Sequence, residues 1–234
     1  MDLLYSLAAI LIAYLIGSLS FAVIVSRAMG LSDPRSYGSR NPGATNVLRS
    51  GSKAAAVLTL ALDALKGYVP VVLALVLAPR FGFDDFTIGF VGLAAFLGHV
   101  WPVFFKFEGG KGVATAAGVL MALNPLLGLA TLATWVIVAA FFRYSSLASL
   151  VSAAFAPFYQ LLIWGGSPLV LAIAVMSLLL LWRHTANIQK LLAGTESKLG
   201  QKAPPPPVDH HAHGHAHEHA HGHSHHHPKR KGKH

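Results

Sequence analysis

Residues 112–142 read GVATAAGVLMALNPLLGLATLATWVIVAAFF and set how many helices the chain forms. As a single helix these 31 residues would be about 46 Å long, more than the ~30 Å apolar core of a bilayer requires. Asn124 and Pro125 near the middle are a turn signal, because the residue before a proline avoids helical backbone angles. The stretch is therefore either one overlong helix or two short apolar helices.

The composition of the whole chain is that of an integral membrane protein. Of its 234 residues, 54% are hydrophobic and 12% are charged, and the mean hydropathy is +0.55. Soluble domains carry about 25% charged residues, so this chain lacks the polar surface that an ordinary water-soluble enzyme needs. The absence of cysteine from the sequence excludes disulfides, zinc–thiolate sites and a thiol nucleophile.

Further apolar stretches are predicted to cross the membrane as helices. The first, residues 3–25, has only small or hydroxyl interruptions and no basic start, so we predict a retained helix and not a signal peptide. The others are residues 54–78, 86–105, 145–164 and 168–182. Two helices within residues 112–142 bring the total to seven.

The distribution of lysine and arginine favours seven helices over six. With seven, the basic segments at residues 27–53, 106–111, 143 and 183–202 share one side of the membrane, and only Arg80 lies opposite. Basic loops tend to stay in the cytoplasm. The sequence thus predicts an all-α integral membrane protein of seven transmembrane helices, with the N-terminus outside and the C-terminus in the cytoplasm.

The end of the chain has a different composition. Residues 203–234 contain four consecutive prolines and are then rich in histidine and basic residues. Such a segment cannot form a packed core, so we predict a membrane domain over residues 1–202 and a disordered tail over residues 203–234. Alternating histidines bind divalent metals without selectivity, and metal storage or sensing is an alternative, accessory role for this tail.

The first basic loop, SYGSRNPGATNVLR at residues 36–49, has the polar side chains expected of a site for a small anion. Glycines let the backbone approach a ligand, and a guanidinium binds phosphate through two parallel hydrogen bonds. A solvated turn at the membrane surface is the other interpretation. The candidate binding side chains are Ser39, Asn41, Thr45, Asn46 and Arg49.

The second loop, EGGKGVAT at residues 108–115, leads directly into a predicted helix. Amides at a helix N-terminus and a nearby lysine attract phosphate, although the glycines also fit a simple tight turn. The loop is not a nucleotide-binding Walker A motif, because Phe105 and Gly112 occupy positions where that motif needs glycine and Ser or Thr. The candidate phosphate-binding residues are Gly109, Gly110, Lys111 and Gly112.

The third segment lies at the end of the last helix. His184 and Asn187 share one helix face, where they would address a hydroxyl or phosphate together, unless the segment only anchors the helix at the interface. Asp63 and Lys66 have the same spacing inside the second helix, and we predict a mutual pair because unpaired charges are costly in lipid. His99 is predicted to be a structural residue, and no metal site is predicted.

Together the three segments resemble the bacterial acyl-phosphate:glycerol-3-phosphate acyltransferases. The resemblance rests on GSRNPGATN…R at residues 38–49, GH…P…FEGGKGVAT at residues 98–115 and RH…NI…G…E at residues 183–196. It implies a multi-pass enzyme of the bacterial cytoplasmic (inner) membrane whose active site faces the cytoplasm. The implied reaction, the first step of phospholipid synthesis, moves a fatty acyl group from acyl phosphate to the 1-hydroxyl of glycerol 3-phosphate. It yields 1-acylglycerol 3-phosphate and inorganic phosphate, and needs no cofactor, acyl-CoA or acyl carrier protein.

The resemblance also implies a role for each polar residue. The positions implied to be catalytic are Ser39, Arg49, Lys111, His184 and Asn187. Those implied to bind substrate or phosphate are Asn41, Thr45, Asn46, Gly109, Gly110, Gly112, Ser145 and Ser146. Glu196 matches a structural glutamate, and Gln189-Lys190 departs from the more basic pair expected after Asn-Ile.

A membrane transporter for an organic phosphate or a metal ion is the alternative function. It would need polar groups through the membrane and access from both sides, whereas the polar residues here concentrate at one face. The net charge of +9 sits mainly in the predicted cytoplasmic loops, so no nucleic-acid partner is expected. The expected partners are glycerol 3-phosphate, acyl phosphate and the lipid bilayer.

Overall fold

The computed structural model describes residues 2–201, and its regular elements there are all helical. This confirms the predicted all-α class for the described part of the chain, whereas the predicted boundary at residue 202 and the histidine-rich tail lie outside it. The α-helices are α1 Asp2–Gly17, α2 Phe21–Ala28, α3 Ala44–Leu48, α4 Lys53–Phe81, α5 Asp85–Val100, α6 Val113–Leu123, α7 Pro125–Phe142, α8 Ser145–Trp164, α9 Pro168–Arg183 and α10 Thr185–Leu192. A short 3-10 helix, Val103–Phe105, follows α5.

Four helical segments are long and apolar enough to cross a bilayer. They are α4, α7, α8 and the segment Asp85–Phe105, which joins α5 to the 3-10 helix. The bent pairs α1 with α2 and α9 with α10 pass the same test when each pair is taken together, which gives up to six spans. The remaining predicted span, α6, is apolar but has only 11 residues. The structure thus supports a multi-pass membrane protein with four to six such spans.

The prediction of one continuous helix over residues 3–25 is wrong, although its two parts together remain a candidate span. α1 ends at Gly17, α2 begins at Phe21, and their axes bend by 41°. The break lies where α1 crosses α5: a Cβ on Gly17 would overlap the backbone of Ala95, and one on Gly98 would overlap the backbone of α1. Close packing between two distant parts of the chain therefore accompanies the break.

The predicted division of residues 112–142 is confirmed. Asn124 lies in extended conformation between α6 and α7, and its side-chain oxygen accepts hydrogen bonds from the amides of Leu126 at 2.9 Å and Leu127 at 3.4 Å. These amides at the start of a helix have no partner within the helix, so the asparagine cap satisfies them. Pro125 then begins α7 at the position where its missing N–H costs least.

Glycines also set the contact between α4 and α6. Gly67 of α4 faces the backbone of Thr115, and Gly118 of α6 faces the backbone of Ala64, each too closely to admit a Cβ. Small residues of this kind let helices approach in a membrane, where packing replaces the hydrophobic effect as the driving force. The outer helix faces carry large exposed apolar residues such as Phe141 and Leu162, as a lipid-facing surface requires.

Candidate functional site

The three predicted segments meet around one cavity of about 590 Å³. The beginnings of α4, α6 and α8 and the end of α9 surround it, together with the loop before α3 and residues 196–201. Most of the predicted site residues line this cavity. They are Ser39, Asn41, Thr45, Asn46, Arg49, Lys111, Gly112, Ser145, Ser146, His184, Asn187 and Glu196.

The cavity continues between the helices as an apolar groove. Its walls include Leu60 of α4, Leu120 of α6, Trp135 of α7, Ala156 of α8 and Ile173 of α9. Ala156 lies about 16 Å along α8 from Ser145 at 1.5 Å per residue. One cavity therefore joins a polar end to an apolar interior.

Asn46 organises the first segment. Its buried side chain donates to two loop carbonyls at 2.6 and 3.2 Å, and its oxygen accepts the backbone amide of Ser39 at 3.0 Å. Arg49 lies 3.4 Å from the same oxygen and donates to Ser197 at 2.6 Å. Because both ends of its amide are used within the protein, Asn46 shapes the loop, and it leaves the side chains of Ser39 and Arg49 at the cavity.

The glycine loop is held from two sides. The Gly110 amide donates to the His99 carbonyl at 3.1 Å, and Arg183 donates to the carbonyls of Gly109 and Gly110 at 3.0 and 3.3 Å. Neither Gly109 nor Gly110 lines the cavity, and the Gly110 amide is already hydrogen-bonded within the protein, so phosphate binding by these two glycines stays a prediction. The residue that follows them, Lys111, lies at the cavity wall.

A hydrogen-bond network connects Lys111 to the other two segments. Lys111 donates to the side-chain oxygen of Asn187, whose amide nitrogen donates to Glu196 at 2.8 Å. Ser146 donates to the same Glu196 oxygen at 2.7 Å. The carboxylate thus orients Asn187 and Ser146 together. A second polar contact joins the hydroxyls of Thr45 and Ser145 at 3.2 Å.

Burial changes the protonation of two site residues. It lowers the pKa of Lys111 to about 8, and the nearby negative charge of Glu196 offsets this only in part. His184 follows α9 and is buried, and that burial lowers its pKa to about 4. Its Nδ1 lies 2.8 Å from the Leu180 carbonyl, which fits a neutral ring with the proton on Nδ1 and with Nε2 able to accept. Near neutral pH the site therefore combines a charged lysine with a neutral histidine.

The predicted ion pair inside α4 is confirmed. Lys66 Nζ lies 2.8 Å from Asp63 Oδ1, and both side chains are buried. His99 Nδ1 lies 3.6 Å from the same carboxylate oxygen. Asp63 and His99 also line the cavity, so this cluster borders the site.

Sequence reasoning missed two contributions to the site. Ser197, the partner of Arg49, belongs to residues 196–201, which all line the cavity. A serine after a glutamate carries no signal in a single sequence. The sequence identifies Arg183 only as part of a polar helix end, whereas in the structure its guanidinium donates to the carbonyls of Gly109 and Gly110. Its position directly before the predicted site residue His184 is the one hint in the sequence.

The matching family model and the similar proteins carry the same description. Residues 7–194 match the family model described as glycerol-3-phosphate acyltransferase. The glycerol-3-phosphate acyltransferase of Ralstonia nicotianae is 69% identical over 193 residues, which cover 82% of this chain and 93% of the relative. That of Burkholderia multivorans is 63% identical over 198 residues, which cover 84% of this chain and 92% of the relative.

Two solved structures share this fold. They are crystal structures of PlsY (YgiH), described as an integral membrane glycerol 3-phosphate acyltransferase. The glycerol 3-phosphate form superposes with a TM-score of 0.78 at 39% identity and covers 84% of this chain and 96% of that one. The lysophosphatidic acid form gives 0.76 at 38% identity, with 83% and 95% covered.

Proposed function

The chain belongs to the glycerol-3-phosphate acyltransferase family, and from this premise we propose that it transfers a fatty acyl group from acyl phosphate to the 1-hydroxyl of glycerol 3-phosphate. The observation that carries this proposal is the joining of a basic polar end and an apolar groove in one cavity. The donor needs both parts, because it combines a phosphate with a long hydrocarbon chain. The acceptor needs only the polar end.

Two cations at the polar end match the two phosphates of the substrates. Arg49 binds one by paired hydrogen bonds, with its Ser197 contact exchanged for the ligand, and Lys111 neutralises the other. The acyl chain lies along the groove beside Leu120 and Ile173. Burial of that chain contributes roughly 0.8 kcal/mol per CH₂ group when the chain comes from water, and much less when it comes from lipid.

The chemistry is a direct displacement. Acyl phosphate is an activated mixed anhydride, so no enzyme nucleophile is needed. The 1-hydroxyl oxygen of glycerol 3-phosphate forms a bond to the acyl carbonyl carbon, the bond from that carbon to the phosphate oxygen breaks, and inorganic phosphate leaves. Ser39 orients the hydroxyl, while Asn187 holds Lys111 at the phosphate, so that alignment and charge stabilisation supply the rate.

The proton of the attacking hydroxyl passes to an oxygen of the donor phosphate. His184 Nε2 is the other candidate acceptor, but with a pKa of about 4 it is a weak base near neutral pH. The donor phosphate becomes more basic as its bond to the acyl carbon breaks, so it is the better match. We therefore assign His184 an orienting role, as a hydrogen-bond acceptor for the hydroxyl.

The membrane arrangement that fits this reaction has seven spans, with α6 as a short span packed against α4. It places the N-terminus outside, the C-terminus in the cytoplasm and the polar end of the cavity at the cytoplasmic face of the inner membrane. The asymmetric distribution of lysine and arginine supports it. Soluble glycerol 3-phosphate then enters from the cytoplasm, and the acyl donor enters from the lipid.

An assay with the purified full-length protein tests the activity. Glycerol 3-phosphate is supplied with palmitoyl phosphate or, as the control, with palmitoyl-CoA. We expect 1-acylglycerol 3-phosphate and phosphate in equal amounts from the first donor only. Equal rates from both donors would refute the acyl-phosphate assignment. Uptake of glycerol 3-phosphate into proteoliposomes without acyl transfer would favour the transporter instead.

A further inference from the structure

We propose that His99, oriented by the buried Asp63–Lys66 pair, is a positioning residue that sets the glycine loop and through it Lys111. The proposal rests on the function proposed above, because it assigns this cluster to the phosphate-binding end of that site. None of the three side chains takes part in the displacement itself. Their role is to fix the position of the Lys111 ammonium group.

His99 touches the glycine loop in two ways. Its carbonyl accepts the Gly110 amide at 3.1 Å, and its ring packs so closely on Gly110 that a Cβ there would overlap Nε2. Arg183 holds the opposite edge of the loop through the Gly109 and Gly110 carbonyls. The loop is therefore clamped between the ring and the guanidinium, and Lys111 follows directly.

The Asp63–Lys66 pair faces the ring from the other side and acts on it through its charge, because the distance from Asp63 to the ring is too long for a hydrogen bond. Asp63 Oδ1 lies 3.6 Å from His99 Nδ1 and 2.8 Å from Lys66 Nζ. The ammonium also donates to the Leu19 carbonyl at 2.7 Å, inside the break between α1 and α2, and lies 5.7 Å from the centre of the Phe21 ring. The lysine thus connects α4 to the α1–α2 break, and the carboxylate of α4 faces His99 of α5.

Packing alone does not account for this cluster. Asp63, Lys66 and His99 are 2%, 3% and 7% exposed, so the desolvation cost of the charges is large. Apolar residues of similar volume often give equal or greater stability at such positions. Ionisable residues inside a membrane domain are a sign of function, and two of these three line the cavity. Orientation of the His99 ring is the function that the contacts support.

The test compares His99→Ala, Gly110→Ala and the double variant in the full-length protein. If the ring positions the loop, His99→Ala raises the KM for a phosphate substrate about tenfold and changes kcat by less than about threefold. The added methyl group of Gly110→Ala overlaps the ring, so the double variant is no worse than Gly110→Ala alone. An unchanged KM in His99→Ala, or losses that multiply in the double variant, would overturn the proposal.

A second variant distinguishes a role in orienting the His99 ring from a contribution to the stability of the fold. The double substitution Asp63→Leu with Lys66→Met removes both charges together. It therefore does not leave one buried charge without its partner. We expect a folded protein with the same rise in KM as His99→Ala. A wild-type KM in this variant contradicts the proposal. Thr87→Val is the control, because it removes the two hydrogen bonds of the Thr87 hydroxyl at the opposite end of α5 and should lower stability without changing KM.

A binding measurement distinguishes this proposal from the proposed activity. Calorimetric titration with glycerol 3-phosphate and with inorganic phosphate needs no turnover, and His99→Ala should weaken the binding of at least one about tenfold. Wild-type protein that binds these ligands but transfers no acyl group would refute only the activity. Active wild-type protein with equal binding in His99→Ala would refute only the role of His99.

Discussion

The charge on Lys111 depends on its surroundings in the cavity. Burial lowers its pKa from the usual 10.5 to about 8, so the side chain begins to lose its proton within the range where an enzyme is assayed. Loss of that proton removes the positive charge proposed to face a substrate phosphate. The substrate does not change over the same range, since the second pKa of a phosphate monoester is near 6.

We therefore predict that kcat/KM for glycerol 3-phosphate falls as the pH rises through about 8, approaching tenfold per unit. The neutral lysine binds phosphate less well, and kcat/KM reports the free enzyme. A pH–rate profile between 7 and 10 checks this. Lys111→Arg is the control, because arginine keeps its proton and its residual activity should not show the decline. A flat wild-type profile would contradict the assignment.

The residues at the cavity were predictable, whereas their partners were not. Short segments with glycine, serine, asparagine and basic residues indicated Ser39, Arg49 and Lys111, because phosphate chemistry restricts which side chains serve. Arg49 and its partner Ser197 are 148 residues apart, and no local pattern connects them. The contact of Gly110 was unpredictable for the same reason, since the His99 carbonyl that accepts its amide lies at the end of α5.

Helix ends that are capped by neighbouring residues were predictable from the sequence. Contacts between helices that are distant in the sequence were not. Asn124-Pro125 carries its own start signal for α7, so the division of residues 112–142 followed from the sequence. The break after Gly17 occurs where α1 meets Gly98 of α5, and a window around residue 17 alone contains no sign of that partner.

The close packing of α6 on α4 is expected to position the site, and this can be tested by mutation. We predict that Gly118→Leu abolishes most activity, because its side chain would meet the Ala64 backbone and push α6, whose first residue follows Gly112, away from the site. Activity per folded protein, with folding followed by size-exclusion chromatography, is the measurement. Gly166→Ala is the matched control, since no atom lies near the added methyl group. Full activity in Gly118→Leu would show that the crossing does not position the site.

The orientation of the whole molecule in the membrane is directly testable because the native chain has no cysteine. Single cysteines at the exposed positions Ser50, Glu108 and Gln189 should react with an impermeant maleimide only from the cytoplasmic side. A cysteine at Asp85 should react only from the opposite side. Labelling of intact cells and inverted vesicles compares the two. Opposite sides for Glu108 and Gln189 would exclude the seven-span arrangement.

The histidine-rich tail is predicted to be dispensable for acyl transfer. It follows the four prolines and matches none of the three polar segments. Truncation after Lys202 should keep most of the activity and lose the binding to immobilised divalent metal. A folded truncated protein without activity would give the tail a catalytic role.

A rapid-quench measurement of both products distinguishes direct displacement from an acyl-enzyme intermediate. Purified protein is mixed with acyl phosphate labelled in the acyl group, with or without glycerol 3-phosphate. Direct displacement predicts phosphate and 1-acylglycerol 3-phosphate in equal amounts from the first turnover, and no labelled protein. A burst of phosphate equal to the enzyme without glycerol 3-phosphate, together with acyl label on Ser39 or another side chain, would contradict it.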